Sequence, residues 1–159
     1  MSRLAEYTAV KEGEIMADDK ITILVCDDNE DVLDVVSMIV RRAGYNVVSA
    51  SGYKDVLPLL VSAKPSLLIS DIRMPERDGF WIAEHMQMQG IRIPIIFMTA
   101  YDSNLYRTYA PFVGSVGFVT KPIDSHDLLT QIKMALSPTE NTNKQSVYEA
   151  GRSDRLPTV

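Results

Sequence analysis

Five short apolar runs divide the chain, and four of them stop on a chemically useful group. Ile21-Thr22-Ile23-Leu24-Val25-Cys26 ends at Asp27-Asp28, and Leu67-Leu68-Ile69-Ser70 stops at Asp71. Pro94-Ile95-Ile96-Phe97-Met98 reaches Thr99-Ala100, and Val116-Gly117-Phe118-Val119-Thr120 meets Lys121-Pro122. The remaining run is Tyr45 to Ala50. Unbroken rather than alternating apolar character is what parallel strands show when both faces are covered. Between the runs, apolar residues recur at helical spacing. Val32, Val35, Val36, Ile39 and Val40 mark a first helix, capped by Asn29, with Arg41-Arg42 in its last turn and Gly44 closing it.

The other helices carry their own punctuation. A second is expected from Ser51 to about Ser62, but Pro58 lies inside it. Proline there removes a backbone hydrogen bond at a cost of about 3 kcal/mol, which predicts a kink or a later start. A third helix spans Phe80 to Gln89 and stops at Gly90. A fourth, Ser103 to Ala110, is cut short by Pro111, and Gly114 to Gly117 turns into the fifth strand. Asp124 and Asp127 form a capping arrangement for the last helix, whose stripe is Leu128, Leu129, Ile132 and Leu136 and which Pro138 stops.

Strict alternation of strand and helix makes five βα units and predicts an α/β fold, a doubly wound five-stranded parallel sheet flanked by five helices. The domain occupies residues 20–137. Residues 1–19 read as a polar N-terminal extension, with Leu4, Tyr7 and Lys11 at helical spacing, and 138–159 as a flexible polar tail. The stretch after Leu136 is too short for a further DNA-binding domain, so a stand-alone module is expected.

Composition narrows the function class. A net charge of −5 with no Lys/Arg cluster argues against direct nucleic-acid binding, which needs concentrated positive charge. The single cysteine, Cys26, allows no intramolecular disulfide and no thiolate metal cage; inside an apolar strand it reads as an inert small hydrophobe. The N-terminus lacks the apolar core of a signal peptide, and no window approaches the ~18 to 20 apolar residues of a membrane span. No membrane association is expected, and the localisation expected is cytoplasmic.

Strands of a parallel α/β sheet present their carboxyl ends to the ligand crevice. Folding therefore gathers Asp27, Asp28, Asp71, Thr99 and Lys121 at one edge. Each alone has a plain explanation: the acidic pair as helix-cap chemistry, Lys121 as a solvated surface lysine, Thr99 as a β-former. Together at four strand ends they read as a site. Three carboxylates in one crevice repel, and a divalent cation resolves the conflict. Hard oxygen ligands suit Mg²⁺, with Mn²⁺ as the alternative. A lysine and a hydroxyl opposite complete a cradle for a tetrahedral anion, the inventory of phosphoryl transfer.

On Asp27-Asp28, on Asp71 followed by Met74-Pro75 and Asp78-Gly79, on Thr99-Ala100 and on Lys121-Pro122, the chain resembles the receiver domains of two-component response regulators, over roughly Lys20 to Leu136. The resemblance implies a flavodoxin-like sheet of order 2-1-3-4-5. It also implies Asp71 as the phosphoacceptor, taking a phosphoryl group from a sensor histidine kinase or a histidine phosphotransfer protein. Asp28, Asp71 and the backbone carbonyl of Arg73 would ligate Mg²⁺, with Asp27 acting through water. Lys121 would pair with one phosphoryl oxygen and Thr99 would swing to another, with Phe118 as the switch aromatic whose rotamer follows. The Lys121-Pro122 bond is expected to be cis, Arg73 and Tyr101 stand where dephosphorylation is tuned, and the face of the fourth helix, fifth strand and fifth helix would carry the output or a homodimer.

Alternatives are a non-phosphorylated adaptor of the same fold, or a receiver fragment of a larger transcriptional regulator or hybrid kinase. An aspartate-nucleophile phosphatase of the haloacid dehalogenase type wants an Asp where Arg73 stands. A flavodoxin-like nucleotide or flavin binder wants a glycine loop where Asp27-Asp28 stand. His85 and His126 read as surface residues, and Trp81 as core or boundary packing.

Overall fold

The computed structural model describes residues 20–138. The expected N-terminal extension and the expected tail beyond Pro138 lie outside the described residues. Within them, strands β1 (Thr22–Cys26), β2 (Asn46–Ala50), β3 (Leu67–Asp71), β4 (Ile95–Thr99) and β5 (Ser115–Thr120) alternate with helices α1 (Glu30–Arg42), α2 (Tyr53–Ser62), α3 (Gly79–Met88), α4 (Asn104–Tyr109) and α5 (Ser125–Leu136). All strand pairs are parallel and the order is β2-β1-β3-β4-β5, as the alternation of elements and the family resemblance imply.

The two-residue period of the strands splits the core into two layers. Leu24, Cys26, Leu68 and Phe97 face one side and pack with Val56, Ile82 and Met86 of α2 and α3. Ile23, Val25, Leu67, Ile69, Ile96 and Met98 face the other and pack with Val36 and Val40 of α1 and Leu128 and Ile132 of α5. Every residue of β3 is buried, as a central strand requires. Each fully buried Leu, Ile or Phe contributes about 1.5–3 kcal/mol, so the two layers fix the central strands and the directions in which their ends point.

Helix boundaries follow from local chemistry. Asn29 Oδ1 accepts from the N–H groups of Asp31 and Val32 at 3.0 and 3.3 Å, which starts α1. Ala43 caps the other end, and Gly44 follows at φ 96°, where a side chain would be strained. The second helix begins at Tyr53, two residues later than Ser51, yet still contains Pro58. The third starts one residue earlier than expected, at Gly79, and Gln89 is its cap. The fourth α-helix stops before Pro111, as expected, and the chain then continues as a 3-10 turn over Ala110–Val113, where proline stands at an initial position whose N–H needs no partner. Gly114 to Gly117 is not all turn either. Strand β5 begins at Ser115, with a register slip opposite Ile95 and Ile96 that leaves Val116 extra.

His85 is another correction. It is half-buried and stacked on Trp81 with ring centroids 5.0 Å apart, whereas His126 is exposed. Among the described residues, no helix is long and apolar enough to cross a membrane.

Candidate functional site

The parallel register carries the strand ends to one rim. Cys26 pairs with Ser70, Asp71 with Met98, and Thr99 with Thr120, so the groups that follow fall on neighbouring rungs. Backbone hydrogen bonds prolong the ladder past the strands. Asp27 N–H donates to Ala50 O at 3.2 Å, Ile72 N–H to Met98 O at 3.0 Å, and Lys121 N–H to Thr99 O at 2.7 Å. The Lys121-Pro122 peptide bond is cis.

The turn after β3 is built by Asp78 and Gly79. Asp78 Oδ1 accepts from Trp81 N–H at 2.8 Å and so caps α3. Gly79 packs directly under the site: a Cβ there would lie 2.4 Å from the Asp71 carbonyl oxygen. The Asp-Gly pair, read from sequence as turn chemistry, is thus a cap followed by a position that only hydrogen can fill.

Lys121 and the acids form the electrostatic centre. Its ammonium stands 2.7 Å from Asp27 Oδ2 and 3.4 Å from Asp71 Oδ2. Asp27 is wholly buried; its Oδ1 accepts from Asn29 N–H at 2.9 Å, while Oδ2 has no aligned hydrogen bond and only the lysine charge beside it. Burial, and then the charge of Asp27, push the Asp71 carboxyl above the ordinary carboxylate range, and Lys121 offsets this only in part. Burial pulls the Lys121 ammonium down, but its contacts with Asp27 and Asp71 outweigh it and hold the value above that of a free lysine. The Cys26 thiol, buried and beside Asp27, is pushed up to about 12 and is unreactive as a thiolate.

Asp27, Asp28 and Asp71 each offer an oxygen, all within 4.8 Å of one another. An all-carboxylate donor set, partly exposed through Asp28 and with one buried oxygen lacking an aligned donor, fits a hard divalent cation.

Thr99 is buried, and its hydroxyl is engaged with its own loop: it accepts from Tyr101 N–H and donates to Tyr101 O, both at 3.1 Å. Phe118 is half-buried in β5. Arg73 is exposed and lines a groove of about 370 Å³ with Ile72, Met74, Pro75, Asp78 and Tyr106. Tyr101 is 61% exposed, with its ring edge-on to Tyr106. Sequence reasoning missed Gln131, whose amide clamps the backbone of Phe118, with Phe118 N–H donating to Oε1 at 2.7 Å and Nε2 donating to Phe118 O at 2.8 Å. Arg107, which with Tyr106 and Tyr109 reads from sequence only as an aromatic, basic surface of the fourth helix, lies with its guanidinium 4.8 Å from the Phe118 ring centroid.

A family model described as the response regulator receiver domain matches residues 23–133. The chain belongs to the response regulator receiver domain family. Among solved structures, chemotaxis protein CheY4 of Vibrio cholerae is 28% identical with a TM-score of 0.70, over 74% of this chain and 99% of that one. A CheY-like receiver domain protein from Methanospirillum hungatei is 26% identical with a TM-score of 0.67, over 72% and 92%. The alkaline phosphatase synthesis transcriptional regulatory protein PhoP of Bacillus subtilis is 28% identical over 74% of this chain and 49% of its own length, so the chain spans about half of that curated relative. Receiver domains are signalling modules rather than enzymes in the ordinary sense, and phosphorylation on an aspartate is general to them.

Proposed function

We propose that this receiver takes a phosphoryl group onto Asp71 from a phosphohistidine on a sensor histidine kinase or a phosphotransfer protein. The observation that carries the reading is the Asp71 carboxylate held 3.4 Å from the Lys121 ammonium beside two further acids. An Asp71 oxygen attacks phosphorus, the phosphorus–nitrogen bond of the donor breaks, and an acyl phosphate forms. Asp28, Asp71 and the Arg73 carbonyl would hold Mg²⁺ or Mn²⁺, with Asp27 acting through water. The cation, when bound, neutralises charge on the transferring oxygens and screens the acids from one another. Lys121 orients one phosphoryl oxygen and Thr99 donates to a second, with Phe118 following. Arg73 and Tyr101 limit the approach of water.

The added charge and acceptor oxygens bias a two-state element. That element is the surface of α4, β5 and α5, which signals by protein contact, relays the phosphoryl group onward, or forms a homodimer, in the cytoplasm and without touching nucleic acid. The test is incubation with acetyl phosphate and Mg²⁺, followed by intact-mass and peptide analysis. One phosphoryl group on Asp71, lost in Asp71→Asn and without divalent metal, is the expected result; an unlabelled wild-type protein, or label elsewhere, overturns the reading.

The half-length match to a transcriptional regulatory protein favours a second reading, in which the receiver controls a larger regulator. The size of the protein in its own cells, by immunoblot, decides between the two.

A further inference from the structure

We infer that Arg107 is a positioning residue: it holds the Phe118 ring and the Tyr101–Asp102 loop as they stand here, and so opposes the turn of Thr99 toward a phosphoryl group on Asp71. The inference rests on the phosphoacceptor reading and adds to it a residue that sets how readily the domain switches.

Three contacts converge on this one side chain. Arg107 Nε donates to Asp102 Oδ1 at 2.6 Å, and Nη2 donates to Asp102 Oδ2 at 2.8 Å, a two-pronged pairing. The same guanidinium lies against Phe118, 4.8 Å from the ring centroid. Asp102 is the residue after Tyr101, whose backbone occupies the Thr99 hydroxyl in both directions. Thr99 reaches a phosphoryl oxygen only by leaving Tyr101, and that loop is tied through Asp102 and Arg107 to Phe118. Gln131 fixes the Phe118 backbone, which leaves the ring as the part free to turn. A planar guanidinium satisfies the carboxylate fork and the ring face at once, which the point charge of a lysine does not.

Exposed ion pairs are individually weak. Here the pair is coupled to a ring contact and to the loop that holds the Thr99 hydroxyl, so its loss shifts an equilibrium rather than merely loosening a surface. A ligand that selects the switched state binds more tightly when the resting state is destabilised.

The experiment uses the full chain as wild type, Arg107→Ala, Arg107→Lys and Phe118→Leu, with the double variant. First, aromatic NMR of the ligand-free protein reports the Phe118 ring. Arg107→Ala is expected to bring it into exchange between rotamers, and an unchanged ring signal overturns the inference whatever the ligand data show. Second, fluoroberyllate with Mg²⁺ is titrated calorimetrically. Arg107→Ala is expected to bind about three- to tenfold more tightly, with affinity for Mg²⁺ alone unchanged. Arg107→Lys should fall between the two, and the gain should vanish in the Phe118→Leu background. Equal or weaker fluoroberyllate binding by a folded Arg107→Ala protein overturns the inference. A wild type that binds no fluoroberyllate overturns the phosphoacceptor reading instead, and the ring signal still decides the role of Arg107 in holding Phe118.

Discussion

The Lys121 ammonium stands 3.4 Å from Asp71 Oδ2 and closer still, 2.7 Å, to Asp27 Oδ2. The lysine therefore occupies, with its positive charge, part of the space between acids that a cation would otherwise neutralise. On the proposed function it serves both states of the site: it quiets the acids when they are bare and would turn to the phosphoryl group when one is present.

Removing it should separate those two roles. In Lys121→Ala, Asp27 and Asp71 face each other unscreened, and stability without metal at neutral pH should fall by about 2–3 kcal/mol. Mg²⁺ should restore most of the loss and bind about tenfold more tightly than to wild type, because a competing cation has gone. Labelling by acetyl phosphate should nevertheless drop by about 10²–10³, the usual cost of one lost donor to a developing anion. Urea melts with and without Mg²⁺, beside labelling rates, check all three; unaltered stability without metal would show that the lysine screens nothing.

Asp71 carries a pH signature of its own. Its carboxyl is held above the ordinary range by burial and by Asp27. The folded state thus keeps a proton that the unfolded chain has already released, and ∂ΔG/∂pH is negative across that window. The stabilisation is complete below the unfolded value near about pH 4, and it is lost as pH rises through the raised folded value. Asp71→Asn carries no such loss, so without divalent metal it should be more stable than wild type at neutral pH, with the gap narrowing in acid. Saturating Mg²⁺ should shrink or reverse the ordering, since metal at a hundredfold over its Kd adds about 2.7 kcal/mol to whichever protein binds it. Thermal melts from acid to neutral pH are the check; a wild type more stable than Asp71→Asn at neutral pH without metal would reverse the sign.

Gly79 offers a packing test next to Asp71. A Cβ at this position meets the Asp71 carbonyl oxygen at 2.4 Å and the Phe97 ring at 3.2 Å, and the first of these is backbone that cannot swing aside. Gly79→Ala should cost about 2–4 kcal/mol and slow labelling of Asp71 by displacing it. Gly90→Ala is the control. Gly90 has φ 72° and open space, with nothing within 4 Å of where a Cβ would lie, so the change should cost only the left-handed strain of about 1–2 kcal/mol and leave labelling alone.

What the sequence disclosed and what it hid divide along physical lines. An apolar run that stops on Asp71 or Lys121 states both a buried strand and the chemistry at its end, so the sheet and the placing of the acids were legible. The rim contacts were not. Gln131 looks like any solvent-facing amide on α5, and only the edge position of β5 shows that it covers the open backbone of Phe118. Arg107 reads only as part of a basic, aromatic helix surface until the fold brings Phe118 against it. Gly114 and Gly117 together imitate a turn, although Gly117 lies in the strand, where a Cβ would meet Gln131 Oε1 at 2.5 Å. Pro111 ends an α-helix on local grounds, and a 3-10 turn accommodates it at no cost to the backbone ladder. His85 was missed because its partner, Trp81, lies one helical turn away and closes over it.

The proposed phosphoryl state would have a lifetime set in part at the mouth of the site. Arg73 lines the groove that opens after β3, Tyr106 lines it too, and the exposed ring of Tyr101 stands edge-on to Tyr106. On the proposed function, the bulky side chains of Arg73 and Tyr101 would restrict the attack of water on the phosphorus. Shortening either should ease that attack and shorten the half-life of the acyl phosphate about threefold to tenfold. The two changes together should do more than each alone if both side chains limit the same step. The rate of loss of label from purified phosphorylated wild type, Arg73→Ala, Tyr101→Ala and the double variant, after removal of the donor, measures this directly. Neither side chain touches Lys121 or the acids through any hydrogen bond or ion pair among the described residues, so affinity for Mg²⁺ should stay as in wild type. Half-lives unchanged in both single variants would mean that water reaches the phosphoryl group by another path.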